Sequence, residues 1–321
     1  MMLRRFELIV CVCMMALAAQ AASAQAYPSK PVRFITSEPG GGNEIAARFI
    51  AQGLSGAFGQ QVIIESKGGG NGAIAFLTVS KAAPDGYTLL FFSSALWVLP
   101  LMKDVSWDVL RDFEPIVLVA TAPNILVVHP SLPVKSVKAL IALAKARPGE
   151  LNYATGAAGA AAHLSAALLK SMARVNIVRI PFKGTSPGLN AVMAGQVQIM
   201  FPAAGAAMSH VKAGRLRALA VTSAKPTDLA PGLPTMASAG LPGYESVSVY
   251  GLFAPARTPA SIIARLNQET NRVLNVAETK ERFFNVGVET VGSSPEEFVA
   301  SIKADVIRWD KVIKEAGIRE D

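Results

Sequence analysis

The sequence VRFITSEPGGGNEIAARFIAQGL, residues 32–54, contains the structural unit from which the fold can be predicted. Its apolar start, Val32 to Ile35, is rich in β-branched residues and predicts a buried strand. Ile45, Phe49 and Leu54 recur at helical spacing and predict one side of a helix. The glycine-rich loop between strand and helix would place backbone N–H groups, and the positive end of a helix dipole, around an anion. For a single loop of this kind, a tight turn is the simpler interpretation.

The same order of strand and helix repeats along the chain. Apolar runs that predict further strands lie at residues 62–64, 88–92, 125–128, 151–153, 175–180, 197–201 and 216–222. Helical patterns separate most of these runs; one begins after a cap at Ser136, and others end at Gly195 and Gly214. Alternation of this kind predicts an α/β fold with parallel sheets and helices on both faces.

Two long helices are predicted near the end of the chain. Thr258 and Ser294 are each followed by a proline, so each places a capping hydroxyl before a proline at the first helical position. Glu297 completes a capping box with Ser294. The last helix has a stripe at helical spacing that predicts core packing, formed by Phe298, Ile302, Val306 and Trp309. We expect Gly317 to end it.

A second glycine-rich loop follows the strand predicted at residues 151–153. Residues 155–159, TGAAG, lead into the helix that contains His163. Two such loops at equivalent places in two lobes favour an anion site, because their N–H groups could face one ligand. We expect amide dipoles rather than buried cations to provide recognition, which suits a site that must release its ligand.

The N-terminal residues predict a signal peptide at residues 1–24. Arg4 and Arg5 precede an apolar stretch from Leu8 to Ala19, and Ala22-Ser23-Ala24 forms the small-residue pattern of a cleavage site. The apolar stretch is shorter than the roughly 20 residues of a membrane-spanning helix. We therefore expect export to the periplasm and cleavage after Ala24. Both cysteines lie within the predicted signal, so the mature chain would have no thiol for catalysis or a disulfide.

The composition favours small anionic partners. The 321 residues have a formal net charge of +8, which attracts anions. The basic residues are scattered, without a dense run or interleaved aromatics, and this argues against nucleic acid. His129, His163 and His210 lack metal-ligand spacing and are expected to be structural. We expect no metal, no cofactor and a monomer.

A hydrolase is the alternative suggested by residues 184–188. Their sequence, GTSPG, matches the nucleophile elbow G-x-S-x-G and would make Ser186 the nucleophile. The elbow uses the backbone N–H that follows the serine, however, and Pro187 has none. His210 is the only later histidine, and no acidic residue lies between it and Ser186. We therefore expect a binding protein rather than an enzyme.

Seven short segments distributed over the mature chain form a specific combination. They are PVRFI with GGG at 31–35 and 40–42, AAPDGYTL at 82–89, NYA at 152–154, PFKG at 181–184, GRLRALA at 214–220, GLPGY at 240–244 and SPEEF at 294–298. The combination resembles the Bug family of extracytoplasmic solute receptors, which are associated with tripartite tricarboxylate transporters.

The resemblance implies a type II periplasmic-binding-protein-like fold with a ligand cleft between two lobes. Lobe 1 would comprise residues 25–125 and 247–321, and lobe 2 residues 126–246, with hinges near 124–128 and 244–254. Such receptors hold a small carboxylate between the two loops and deliver it to integral-membrane transporter subunits. The resemblance gives these ligand-binding residues: Ser37, Gly41, Gly42, Asn43, Ser93, Thr155, Gly156, Gly159, Ala160, Lys183, Gly184 and Ala203.

Departures from the family pattern bear on the ligand. Ser37 stands where an aromatic residue is common, Asn43-Glu44 where Thr-Asp is common, and Ala160 to Ala162 where hydroxyl residues are common. Pro202 replaces a common acidic residue that can meet an amino group, which disfavours an amino-acid ligand. We expect a carboxylate with an apolar or aromatic body. A periplasmic sensor for a signalling partner would use the same binding mechanism and stays an alternative.

Overall fold

The computed structural model describes residues 27–37, 42–69, 72–156, 160–182 and 184–318. The predicted signal peptide lies outside this part of the chain. The strands are β1 Val32–Thr36, β2 Val62–Ser66, β3 Thr88–Ser93, β4 Phe113–Pro123, β5 Ile125–Val128, β6 Asn152–Thr155, β7 Val178–Pro181, β8 Ile199–Met200, β9 Arg217–Val221, β10 Val247–Pro255 and β11 Glu289–Thr290.

Helices connect most of these strands, as the alternating pattern predicts. They are α1 Gly42–Phe58, α2 Ala73–Ser80, α3 Ala95–Val98, α4 Val109–Asp112, α5 Val137–Ala146, α6 Ala161–Ala173, α7 Thr185–Met193, α8 Ala204–Lys212, α9 Ala260–Leu274, α10 Ala277–Asn285 and α11 Pro295–Ala316. A short 3₁₀ helix, Leu99–Leu101, follows α3. Within the described ranges, no helix is both long enough and apolar enough to cross a membrane.

The first sheet has the strand order β11-β4-β10-β3-β1-β2. β1 is parallel to β2 and β3, whereas β10 is antiparallel to β3 and β4, and β11 is antiparallel to β4. One face packs on α1 and α9 through residues such as Ile50 and Leu266. The other face packs on α11 through Phe298 and Trp309, with Phe253 of β10 between the sheet and the helix.

The second sheet has the order β7-β6-β8-β5-β9. β6 is parallel to β7 and β8, but β5 is antiparallel to β8 and β9. The α/β class is confirmed, and the expectation of parallel sheets is wrong for both. The strands that run against the βαβ units are β10 and β11 in the first sheet and β5 in the second. β5 and β10 each follow a passage of the chain from one sheet to the other.

A buried polar network joins the two crossings of the chain. Asn124 is the single residue between β4 and β5; its N–H donates to Thr222 Oγ1 (2.9 Å) and its Nδ2 to Ser165 Oγ (3.1 Å). Ser165, in α6, also shares a hydrogen bond with Ser246, which precedes β10 (2.8 Å). Tyr244 OH donates to Ser165 O at 2.7 Å. α6 is therefore connected to both passages of the chain from one sheet to the other.

Most of the two predicted hinge segments is regular strand. Residues 125–128 form β5, and residues 247–254 belong to β10. A rotation would therefore be concentrated at Asn124 and at residues 244–246. The hinge itself stays a prediction.

A second contact between the parts of the chain that form the two sheets lies beside α8. A Cβ placed on Gly205 would lie 2.9 Å from Gly287 Cα, so the two backbones approach closely there. Thr227 Oγ1 donates to a Glu289 carboxylate oxygen in the same region.

The structure confirms most of the helix ends predicted from the sequence. Ser294 and Glu297 form the predicted capping box, and Gly317 ends α11 with φ of 62°. Ser136 caps α5 by accepting from Ala139 N. The cap predicted at Thr258 is wrong, because α9 begins after Pro259 and the Thr258 hydroxyl donates to Pro255 O at 2.8 Å.

Candidate functional site

The first predicted loop lies between β1 and α1, as its sequence indicates. Gly41 lies outside the described residues. Ser37 is buried, and Asn43 Nδ2 donates to its Oγ at 3.3 Å. A Cβ on Gly42 would lie 2.9 Å from the Tyr250 hydroxyl, so glycine permits this tyrosine of β10 to approach the start of α1. Burial raises the Tyr250 pKa, so the group is a neutral phenol beside the loop.

Ser93 belongs to the same region of the first sheet. It is the last residue of β3 and pairs with Tyr250 in the ladder between β3 and β10. The structure therefore places Ser93 at the same end of the first sheet as Ser37, Gly42 and Asn43.

Two buried polar atoms at this loop have no hydrogen-bond partner among the described residues. They are Thr36 Oγ1, on the last residue of β1, and Asn43 Oδ1. Thr36 is fully buried. Leaving such a group unsatisfied costs about 1–3 kcal/mol, so the arrangement favours a further polar group at this point.

The second predicted loop lies between β6 and α6. Gly159 falls among residues 157–159, outside the described chain. Thr155 ends β6, Gly156 follows it, and Ala160 is the N-cap of α6 without a side-chain cap bond. The first N–H groups of α6 therefore donate to no capping side chain. Thr155 Oγ1 is fully buried and, like Thr36 Oγ1, has no partner in the described chain.

Arg179 of β7 is a cation at this second loop that the sequence analysis missed. Its Nη2 donates to Gly156 O at 2.9 Å, and its buried Nε has no partner among the described residues. The expectation that amide dipoles rather than buried cations provide recognition stays a prediction, and the half-buried Arg179 lies beside the second loop. In the sequence, the signal for this cation is a single arginine within the otherwise apolar strand VRIP.

His163 in the first turn of α6 is held in its neutral form. Burial, together with the nearby charges of Arg179 and Lys170, lowers its pKa to about 4. This neutral imidazole avoids adding a second cation beside Arg179. The three histidines and the described acids form no cluster that could hold a metal within the described ranges.

The remaining candidates lie at other helix starts of the second sheet. Ala203 precedes α8 and forms an isolated bridge with Asn124, which places it at the crossing between the sheets. Gly184 precedes α7, is exposed, and has φ of 106°. Lys183 lies outside the described residues. None of the hydrogen bonds described above joins the β1–α1 loop to the β6–α6 loop.

The serine of the GTSPG segment is not at a nucleophile elbow. Ser186 and Pro187 are exposed residues in the first turn of α7, which begins at Thr185. An elbow holds its serine on a strained turn between strand and helix, whereas this serine is already helical. The geometry gives no support to Ser186 as a nucleophile.

Known proteins similar to this chain agree with its fold. Residues 46–318 match the family described as tripartite tricarboxylate transporter family receptor. The BugT protein of Bordetella pertussis is 35% identical over 301 residues, covering 92% of this chain and 92% of BugT. A periplasmic location and a signal peptide are consistent with this family.

Two solved structures of relatives contain dicarboxylates. R. palustris Rpa4515 with adipate is 36% identical, with a TM-score of 0.77, covering 91% of this chain and 99% of that one. MatC (Rpa3494) from Rhodopseudomonas palustris, with bound malate, is 27% identical with a TM-score of 0.74, covering 89% and 100%. Two mixed sheets, a glycine-rich loop after a strand of each, and a family match across most of the sequence agree with one another: this chain belongs to the tripartite tricarboxylate transporter receptors, which include the Bug proteins.

Proposed function

We propose that this protein captures a small carboxylate between the β1–α1 and β6–α6 loops and delivers it to the membrane subunits of a tripartite tricarboxylate-type transporter. It binds its ligand and does not convert it. Membership of the receptor family supports this function, as do the adipate and malate held by solved relatives.

The observation on which the proposal rests is the distribution of unsatisfied buried polar atoms. Among the described residues, five buried side-chain atoms lack a hydrogen-bond partner, and four of them lie at the two loops: Thr36 Oγ1, Asn43 Oδ1, Thr155 Oγ1 and Arg179 Nε. Buried polar groups are nearly always satisfied in folded proteins. A polar ligand, together with water, would satisfy these four at once.

The two sheets support a division into two lobes around this ligand. The first sheet uses strands from residues 32–123 and 247–290, and the second uses strands from residues 125–221. This agrees with lobes of 25–125 with 247–321, and 126–246. Rotation at Asn124 and residues 244–246 would close the lobes over the ligand as a hinge.

The ligand that fits best is a carboxylate with an apolar body. Ala160, Ala161 and Ala162 at the start of α6 are half-buried and offer methyl groups at positions where the family resemblance implies hydroxyl residues. Recognition then depends on backbone N–H groups and the few polar atoms named above. A single chain supplies both loops, so ligand capture needs no second copy and a monomer suffices for the proposed function.

Export places this receptor in the periplasm. Cleavage after Ala24 would give a mature chain that begins at Gln25. Mass spectrometry of the intact protein, purified from the periplasm of a Gram-negative host that expresses residues 1–321, measures the cleavage directly. A mass that includes residues 1–24 would contradict the cleavage site.

A thermal denaturation screen tests ligand capture. We expect at least one acid from a panel of adipate, malate, citrate, hexanoate and benzoate to raise the Tm, because a ligand that binds only the folded state stabilises it by RT ln(1 + [L]/Kd), about 2.7 kcal/mol at 100 times Kd. Adipamide and benzamide are the matched neutral controls. A panel in which no acid raises the Tm above its amide would overturn the proposal.

A further inference from the structure

The sheet register places Arg179 on the face of the second sheet that α6 covers. Tyr153 and Arg179 are direct neighbours in the parallel pair β6–β7, and neighbouring residues on adjacent strands point to the same face. Thr155 lies two residues after Tyr153 and shares that face. Tyr153 packs in the same buried cluster as Leu164 of α6. Thr155, Arg179 and the first turn of α6 therefore surround one place.

One nitrogen of the Arg179 guanidinium has a hydrogen-bond partner and a neighbouring one has none. Nη2 is fixed on Gly156 O at 2.9 Å, while Nε is buried without a partner in the described chain. A carboxylate forms charge-assisted hydrogen bonds with such a donor, and these are about twice as strong as neutral ones.

Comparison with Arg308 shows that the charge of Arg179 lacks a counterion. Arg308 Nε is also buried and unpartnered, but its other nitrogens pair with Glu245 (2.9 Å) and Asp305. None of the ion pairs formed within the described ranges includes Arg179; its hydrogen bond goes to a neutral carbonyl. A half-buried cation without a counterion attracts an anion more strongly than one in solvent.

The two loops differ in charge. The first turn of α1 contains Glu44, a buried carboxylate that pairs with Arg48. The first turn of α6 contains no acidic residue. A negative group would therefore meet an already formed ion pair at the first loop and the guanidinium of Arg179 at the second.

We propose that Arg179 is the residue that makes this receptor select carboxylates, by donating from Nε to a ligand carboxylate at the second loop, beside Thr155 Oγ1 and the first N–H groups of α6. The inference rests on the proposed receptor function and specifies which end of the site holds the negative charge. The group at the first loop need only be polar, as Thr36, Asn43 and Ser37 are.

Calorimetric titration of adipate and adipamide, and of benzoate and benzamide, tests the role of Arg179. In the wild type we expect each bound acid to bind more tightly than its amide. Arg179→Gln should weaken the acid about 10- to 100-fold, the range expected for a charge-assisted hydrogen bond, and change amide binding by less than about threefold. Arg179→Lys, which retains the charge without the fork, should lie between.

Arg217→Gln is the matched control. Arg217 also donates to backbone carbonyls, those of Leu132 and Val134 at 3.0 Å. It lies on β9, the edge strand on the other side of the second sheet from β7, and pairs with Val128. We expect this variant to bind the acid as the wild type does, so a loss confined to Arg179→Gln cannot come from a general weakening of the lobe.

The outcomes separate this inference from the proposed function. If the wild type binds none of the acids, the receptor proposal fails. If the wild type binds an acid and Arg179→Gln binds it within threefold, the receptor stands and the role of Arg179 is overturned. Should Arg179→Gln fail to fold, Arg179→Lys and Thr155→Val replace it. Both variants should bind the acid more weakly and leave amide binding unchanged. If both bind the acid with the affinity of the wild type, the inference is rejected.

Discussion

Thr36 and Thr155 occupy the same place in two different sheets. Each is the last residue of the strand before a glycine-rich loop, each is fully buried, and neither hydroxyl has a partner among the described residues. Such a group lowers the stability of the free protein and becomes favourable only when a ligand or water accepts its hydrogen bond. At the residue scale, these two hydroxyls of the site therefore lower the stability of the unliganded protein.

Thr36→Val tests this cost directly. Valine has the shape of threonine without the hydroxyl, so we expect the free energy of unfolding of the free protein to rise by about 1 kcal/mol or stay unchanged. Ser165→Ala, the comparator, removes a satisfied hydroxyl that joins Asn124 and Ser246, and should lower it by about 1–2 kcal/mol. Urea denaturation measures both. A loss in Thr36→Val as large as that in Ser165→Ala would show that Thr36 is already satisfied.

His163 makes the stability depend on pH. Its pKa is about 4 in the folded protein, below the usual 6.5, because burial and the charges of Arg179 and Lys170 oppose protonation. The unfolded chain binds more protons between these values, so stability is full above pH 6.5 and falls as the pH decreases towards 4. The loss approaches about 3 kcal/mol.

Urea denaturation at pH 7.5 and pH 4.5 measures the effect of His163. His163→Gln should show a smaller decrease between these two values than the wild type, since glutamine does not titrate. Groups such as Asp305, whose pKa burial raises, are common to both proteins and cancel in the difference. Equal decreases would mean that His163 titrates normally in the folded state.

At the scale of elements, strands with short apolar runs could be predicted from the sequence, whereas the two long strands β4 and β10, which adjoin the crossings between the sheets, could not. β1, β2, β3 and β5 lie where their apolar runs predict. β4 and β10 were missed, because Phe113–Pro123 has no alternation and Gly251 interrupts the pattern of β10. Phe298 explains that glycine: a Cβ on Gly251 would lie 2.2 Å from its ring.

The buried face of helix α1 could also be predicted only in part. The helix at residues 42–58 exists as predicted, but its most buried face is formed by Ala46, Ala47 and Ile50, whereas Ile45 and Phe49 are half-buried. Leu54 is fully buried as predicted, whereas Ile45 and Phe49 indicated the wrong centre of this face. The small side chains of Ala46 and Ala47 let α1 pack closely on the sheet. Both strand–loop–helix positions of the candidate site could be read from glycine spacing, whereas Arg179 and Tyr250 depend on strand pairing and could not.

At the scale of the whole molecule, the two sheets meet at the crossing network and at the backbone contact beside α8. Gly205→Ala would place a Cβ 2.9 Å from Gly287 Cα. Backbone on both sides cannot move aside as a flexible side chain can, so we expect the free energy of unfolding to fall by about 1–3 kcal/mol. Urea denaturation of the free protein measures it.

Gly56→Ala provides the control for this helical glycine. Gly56 lies in α1, and a Cβ there would meet no atom within 4 Å. Alanine should therefore stabilise the protein by about 0.5–1 kcal/mol through helix propensity alone. If both variants stabilise equally, the Gly205–Gly287 approach does not persist in solution.

The position of β10 has a consequence for biosynthesis. This strand fills the middle of the first sheet, between β3 and β4, yet it follows the entire second sheet in the chain. During synthesis from the N-terminus, residues 125–221 can complete the second sheet before β10 has been made. Until then β3 and β4 have unpaired strand edges, which attract other chains. Ribosomes that stop before residue 247 would release a product with one complete sheet and one split in two, a substrate for chaperones and proteases.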